Sequence, residues 1–166
     1  GPNKFEHLAS ATDISIDELK KKLEEIAKIL AKSGYEIVLT PDKESLLAFL
    51  GRKYIENKGK KIYEIVPLDD DYDTYLDTSL GEIISCGKWP LQPSKFNEEC
   101  KVIVCIGYGG MVMAEFGFSR YYNPKTIYII KDLISAKLPK EIEESLDLKY
   151  IKIKDLPKIL MSLKNS

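Results

Sequence analysis

The chain is poor in the residues on which most metal and nucleophile chemistry depends. Its 166 residues include one histidine, His7, and three cysteines, Cys86, Cys100 and Cys105. The cysteines have no metal-ligand spacing, so no metal site is expected. A sparse, odd count with Cys105 inside an apolar run reads as reduced thiols in a cytoplasmic protein. A Ser-His-Asp triad would have to use His7, which lies in a polar N-terminal segment, and is set aside. Charge of one sign is also missing. Lys and Arg number 25, Asp and Glu number 26, and the net charge is −1. That leaves no basic footprint for nucleic acid and no polybasic patch for a membrane surface. The polar N-terminus gives no secretory signal. Repeats and low-complexity tracts are absent, so one domain over residues 1–166 is expected, with 44% hydrophobic residues to build its core. Gly1-Pro2 reads as a cleavage scar of a tag, the alternative being a native loop whose preceding strand lies outside the chain.

One long apolar run is present, Val102 to Ser119, with Glu115 as its only charge. Its length approaches that of a membrane span, but Gly107, Gly109, Gly110 and Gly117 interrupt it, and no other run competes, so no span is expected. It reads as a strand (Val102–Ile106), a glycine-rich turn (Gly107-Tyr108-Gly109-Gly110) and a helix (Met111–Tyr121). That order places free N–H groups at a helix N-terminus, where anions bind. A lone carboxylate there must be paired, protonated or used in chemistry. Glu115 is therefore the candidate catalytic residue, with pairing to Arg120 or Lys125 as the simpler alternative. The turn fits neither G-x-G-x-x-G nor G-x-x-x-x-G-K-[ST].

Elsewhere strands and helices alternate. Ser15-Ile16-Asp17-Glu18 is a capping box, followed by Ile16, Leu19, Leu23, Ile26, Ala27 and Leu30 at helical spacing, with Gly34 as the stop. Strands are expected at Tyr35–Thr40, Lys61–Val66, Lys125–Ile130 and Leu148–Ile153. Asp42 is expected to cap a helix carrying Leu46, Leu47, Leu50 and Tyr54. Helices are expected at Pro139–Ser145 and after Asp155. Residues 68–93 read as a long irregular loop, a lid or partner segment. Within it, Asp69-Asp70-Asp71-Tyr72-Asp73 lacks the glycine of a calcium loop and reads as solvated. Trp89 reads as a loop anchor or a stacking platform.

The fold class expected is α/β, a Rossmann-like three-layer sandwich with a mostly parallel sheet of about five strands. The chain begins with a helix, so Lys4–Leu8 is either a poor strand or no strand. The order 2-1-3-4-5 would put Tyr35–Thr40 beside Val102–Ile106. Ligand would then bind at the switch point, across Thr40, Pro41 and Asp42 and Gly107, Tyr108, Gly109, Gly110 and Met111.

These segments together resemble the LOG (lonely-guy) family, once called lysine-decarboxylase-like. AKSGYEIVLT resembles its first helix and second strand. LLAFLGRKYIENKGKKIYEIVP resembles its next helix and strand, and CKVIVCIGYGGMVMAEFGFSRYYNPKTIYII its P-G-G-x-G-T-x-x-E segment. On that alignment Gly107 matches the first glycine and Glu115 the glutamate. Ile106, Tyr108, Met111 and Val112 stand where the motif has proline, glycine, glycine and threonine. Gln92 and Lys95 are nearest to the family's Arg-Lys pair. The resemblance implies a homodimer that binds a nucleotide or phosphosugar, needs no cofactor, and cleaves the N-glycosidic bond of a nucleoside monophosphate through Glu115. Ala114-Glu115-Phe116-Gly117-Phe118 is also similar to the glutamate segment of nucleoside deoxyribosyltransferases. The other alternative is a non-enzymatic sensor or carrier that uses the same cleft.

Overall fold

Seven α-helices and six β-strands run through residues 4–166, the residues that the computed structural model describes. The Gly1-Pro2 reading lies outside the described residues. In chain order the elements are α1 (Phe5–Thr12), α2 (Ile16–Ser33), β1 (Ile37–Leu39), α3 (Leu46–Glu56), β2 (Ile62–Val66), β3 (Glu82–Ser85), α4 (Gln92–Glu99), β4 (Ile103–Cys105), α5 (Gly110–Phe118), β5 (Ile127–Ile130), α6 (Lys140–Ser145), β6 (Leu148–Ile151) and α7 (Leu156–Lys164). None of these helices is long and apolar enough to cross a membrane.

Local chemistry sets most of these boundaries. The Ser15 hydroxyl accepts from the Glu18 N–H at 3.1 Å and starts α2. Gly34 ends it in the left-handed region at φ 74°. The cap of α3 is Ser45, whose hydroxyl accepts from the Ala48 N–H at 3.1 Å, and not Asp42. Asp42 is instead held in an isolated antiparallel bridge to Leu76. Residues 4–8 begin a helix, not a strand, because Phe5 and Leu8 bury together on one helical face.

The strands form two parallel sheets of three, in the orders β1-β2-β3 and β4-β5-β6. This corrects the expectation of about five strands in one sheet. The sixth strand is β3, in a stretch read as irregular. Its apolar residues are only Ile83 and Ile84, a piece too short to read as a strand, and pairing with β2 recruits it. A second correction concerns β1 and β4. They do not pair, and β4 is hydrogen-bonded along its β5 side only. Its two faces are nevertheless covered: Ile103 and Cys105 are buried on one, and Val104 is half-buried against the larger core on the other.

The sheets bury both faces, as parallel sheets do. Along β5, Tyr128 and Ile130 belong to the core that includes α1, α2, α3 and α7. Ile127 and Ile129 belong to the smaller core under α5, against which Phe96 of α4 packs. Glu64 is the exception on β2. It is fully buried, and its carboxylate oxygens reach no well-formed hydrogen bond, although the backbone of Leu80 and Gly81 lies close to them. Desolvation pushes its pKa up to about 7. An acid with a raised folded-state pKa stabilises least where it must ionise. Its contribution is intact below the ordinary glutamate value and is lost as pH rises through about 7. Glu64→Gln should therefore gain up to about 3 kcal/mol over the wild type at pH 8 and almost nothing at pH 4.5. Urea denaturation at the two pH values checks this, and parallel pH profiles for the two proteins would refute it.

Candidate functional site

Two strand ends and two helix ends converge on one cleft. Thr40 and Asp42 follow β1, Ile106 and Met111 follow β4, and all four line a cavity of about 820 Å³. Gln92 at the start of α4 and Glu115 in α5 line it from one side. Tyr75 and Trp89 line it as well. The long segment after β2 is therefore part of this wall. Trp89 is both anchor and wall. Its backbone N–H donates to Asp70 Oδ2 at 2.8 Å and its indole N–H to the Asp71 carbonyl at 3.3 Å. The acidic run is thus tied to the cleft.

Gln92 is the centre of the polar network. It is 2% exposed. Its Nε2 donates to Thr40 Oγ1 at 2.9 Å and to Glu115 Oε2 at 3.4 Å. The Thr40 hydroxyl donates onward to the Ile65 carbonyl at 3.1 Å. The carbonyl oxygen of Gln92 is buried without a partner. Below this chain, Asn97 Nδ2 donates to the Glu115 backbone carbonyl at 2.8 Å. Buried Lys125 donates to the Asn97 carbonyl at 2.6 Å, at the end of α4. That is a favourable place for a cation, and burial still lowers the lysine's pKa. Glu115 therefore pairs with neither Arg120 nor Lys125 here. Desolvation raises its pKa, and desolvation raises that of Asp42 as well.

The glycine turn behaves differently from its expected role. Gly107 has φ 128°, a conformation that glycine adopts freely. Gly109 is the N-cap of α5 and offers no side-chain cap. The first backbone bond at this end runs from the Met113 N–H to the Gly109 carbonyl at 3.1 Å, so the amides of residues 110–112 are left for an acceptor. Of the expected ligand residues, Thr40, Asp42 and Met111 line the cavity, whereas Pro41 and Gly107 to Gly110 do not. Tyr108 turns towards the core beneath α5 and borders a second, small cavity beside His7 of α1.

Sequence reasoning placed Gln92 only as a stand-in for a basic residue and missed its bridging role. Nothing in a single glutamine marks it in advance. Lys95, the other stand-in, pairs with Glu98 and Glu99 on α4 instead. Burial disfavours the thiolates: it pushes Cys100 and Cys105 up to about 11 and raises Cys86 as well. Among the described residues no group of three metal-ligating side chains exists.

No family model matches the sequence, and no curated protein matches it. Two solved structures do match in fold. The molybdenum cofactor binding protein of the phototrophic bacterium Rippkaea orientalis aligns with a TM-score of 0.66 at 10% identity, over 88% of each chain. The molybdenum cofactor carrier protein of Chlamydomonas reinhardtii aligns with a TM-score of 0.66 at 13% identity, over 89% of each chain. At such identities the likeness is one of fold.

These neighbours correct three expectations: an N-glycosidase or other hydrolase of the LOG type, nucleotide binding, and a nucleotide or phosphosugar as partner. Both neighbours are described by a molybdenum cofactor. The site is consistent with this: desolvation raises the pKa of Glu115, which works against the anion that a nucleophilic or charge-stabilising carboxylate would supply. Nor is there an arginine at the cleft, since Arg52 pairs with Asp77 and Arg120 is exposed.

Gln92→Leu would remove the donor shared by Thr40 and Glu115. It should cost about 1–3 kcal/mol, the penalty for unpairing buried polar groups. A thermal melt at pH 7 should then fall by several degrees, and an unchanged Tm would show that the network adds nothing to stability.

Proposed function

We propose that this chain is a non-enzymatic carrier that holds a small cofactor of the molybdenum-cofactor class at the mouth of the cleft. The observation that carries this reading is the orphaned Gln92 carbonyl oxygen, buried in the Thr40–Gln92–Glu115 network on the cavity wall. A buried acceptor without a partner is costly, and a ligand donor would satisfy it. The Glu115 and Asp42 carboxyls, whose pKa values burial raises, also line the cavity and would offer further polar positions to a ligand. The open amides at the start of α5 would take an anionic group of the same ligand. The shared fold of two proteins described as binding or carrying this cofactor supports the choice of cargo.

The donor set fits the organic part of such a cargo. With no cluster of three metal-ligating side chains among the described residues, the metal would arrive on the cofactor and not through protein ligands. Carriage also suits groups that are settled and not poised. The thiols stay protonated, and the carboxyl of Glu115 is held by Gln92.

The test uses molybdenum cofactor released anaerobically from a molybdoenzyme, mixed with the purified chain and passed through gel filtration. Molybdenum measured by mass spectrometry should elute with the protein at about one per chain. Gly110→Val should fold normally, because a Cβ at Gly110 meets nothing within 4 Å. Its side chain would stand at the amides of α5 and should lower retention at least about tenfold, equivalent to about 1.4 kcal/mol. Molybdenum eluting free of the folded wild type would overturn the proposal.

A further inference from the structure

The cavity continues well below its mouth, and its walls there are unlike those of a side-chain pocket. Every residue from Ile37 to Thr40 lines it, and so does every residue from Cys100 to Ile106. A strand that presents a face to a cavity lines it with alternate residues. Unbroken runs mean that two strands present their edges. The backbone confirms the direction. The Ile37 N–H donates to the Lys61 carbonyl, and the Ile103 N–H is directed to the Thr126 carbonyl, so these residues face β2 and β5. Alternate residues point the other way. The N–H and C=O groups of Val38 and Val104 are therefore directed into the gap, without a backbone partner among the described residues.

The helical layers run across this gap. Leu30 of α2 and Leu160 of α7 close one side of it, and Phe96 of α4 and Phe116 of α5 close the other. Two strand edges, with helices above and below, thus line a cavity of about 820 Å³. We infer that the gap between β1 and β4 is a binding site for a single extended apolar polypeptide segment, parallel to both strands and entering α1 from its N-terminal side.

The position of α1 selects that occupant. Lys4 is extended, with φ −112° and ψ 136°. Phe5 packs edge-on against Phe49, near the start of α3, with centroids 5.6 Å apart. Helix α3 begins just beyond the carboxyl end of β1, so α1 begins at that end too. A strand running parallel to β1 in the gap finishes there. The chain would then pass through α1 and α2 and return as β1, the helical crossover that parallel strands require. Six strands would become one continuous sheet of seven. The inference does not rest on the carrier reading, because it concerns the strand-length part of the cavity below Thr40 and Met111.

The test fuses six residues, alternating valine and isoleucine, ahead of residue 1. Hydrogen exchange is read at the Val38 and Val104 amides, with Tm as a second readout. Exchange at both amides should slow at least about tenfold, and Tm should rise by roughly 5 °C. The same extension with prolines at alternate positions should give neither effect. Three results would overturn the inference: unchanged exchange in the folded fusion, full protection of both amides already in the unfused chain, or equal protection from the proline extension. Placing the same six residues at the C-terminus is the final arm. Equal protection there would overturn entry through α1, and none is the result expected.

Discussion

Between β1 and β4 no main-chain hydrogen bond joins the two sheets among the described residues, so side chains hold the halves together. Helices α2 and α7 span one face with apolar contacts that include Leu23, Leu30 and Leu160. On the other face α4 makes the polar link. Gln92 reaches Thr40 beyond β1 and Glu115 on α5, while Asn97 reaches the Glu115 backbone and receives Lys125 from beyond α5. Such a network is strong only when it is complete, because a low-dielectric setting magnifies both its bonds and its gaps. Here it is complete but for one atom, the Gln92 carbonyl oxygen.

That incompleteness coincides with a place where the fold opens, the cavity between β1 and β4. Ligands in open α/β sheets settle outside the carboxyl ends of strands, where neighbouring connections diverge. In this chain the divergence is at Thr40-Pro41-Asp42 and Ile106-Gly107. The same break that leaves Val38 and Val104 without partners also places the cavity against the Gln92 network. Electrostatics there are mild. The carboxyls of Asp42 and Glu115 are disfavoured as anions by desolvation, and the amides of α5 supply a weak positive field. This is chemistry for holding a molecule.

Much of the alternation of elements was legible from caps, stops and periodicity. Ser15 and Gly34 bound α2 as read, and the apolar run at residues 102–119 resolved into strand, turn and helix. Strand β3 was not legible, because its apolar part is only Ile83-Ile84 and its conformation comes from pairing with β2. Helix α1 reads from the sequence as a poor strand or no strand, because eight residues offer too little periodicity to show a helix. At the site, Glu115, Thr40, Asp42 and Met111 were named from the sequence and do meet on one cavity. The role of Gln92 was not legible. A glutamine becomes informative only when burial removes its water and a neighbour takes one of its two polar ends. Tyr108 follows Gly107, whose φ is 128°, and packs against the smaller core.

The central claim is that the mouth of the cleft, at the Gln92 network and the start of α5, is where cargo binds. Amide and side-chain NMR of the labelled chain, titrated with isolated molybdenum cofactor, tests it most directly. The account predicts the largest shifts at the Gln92 side-chain amide and at the backbone amides of residues 110–112, saturating at one equivalent. No shift at those groups, or shifts confined to a surface away from the cleft, would contradict it.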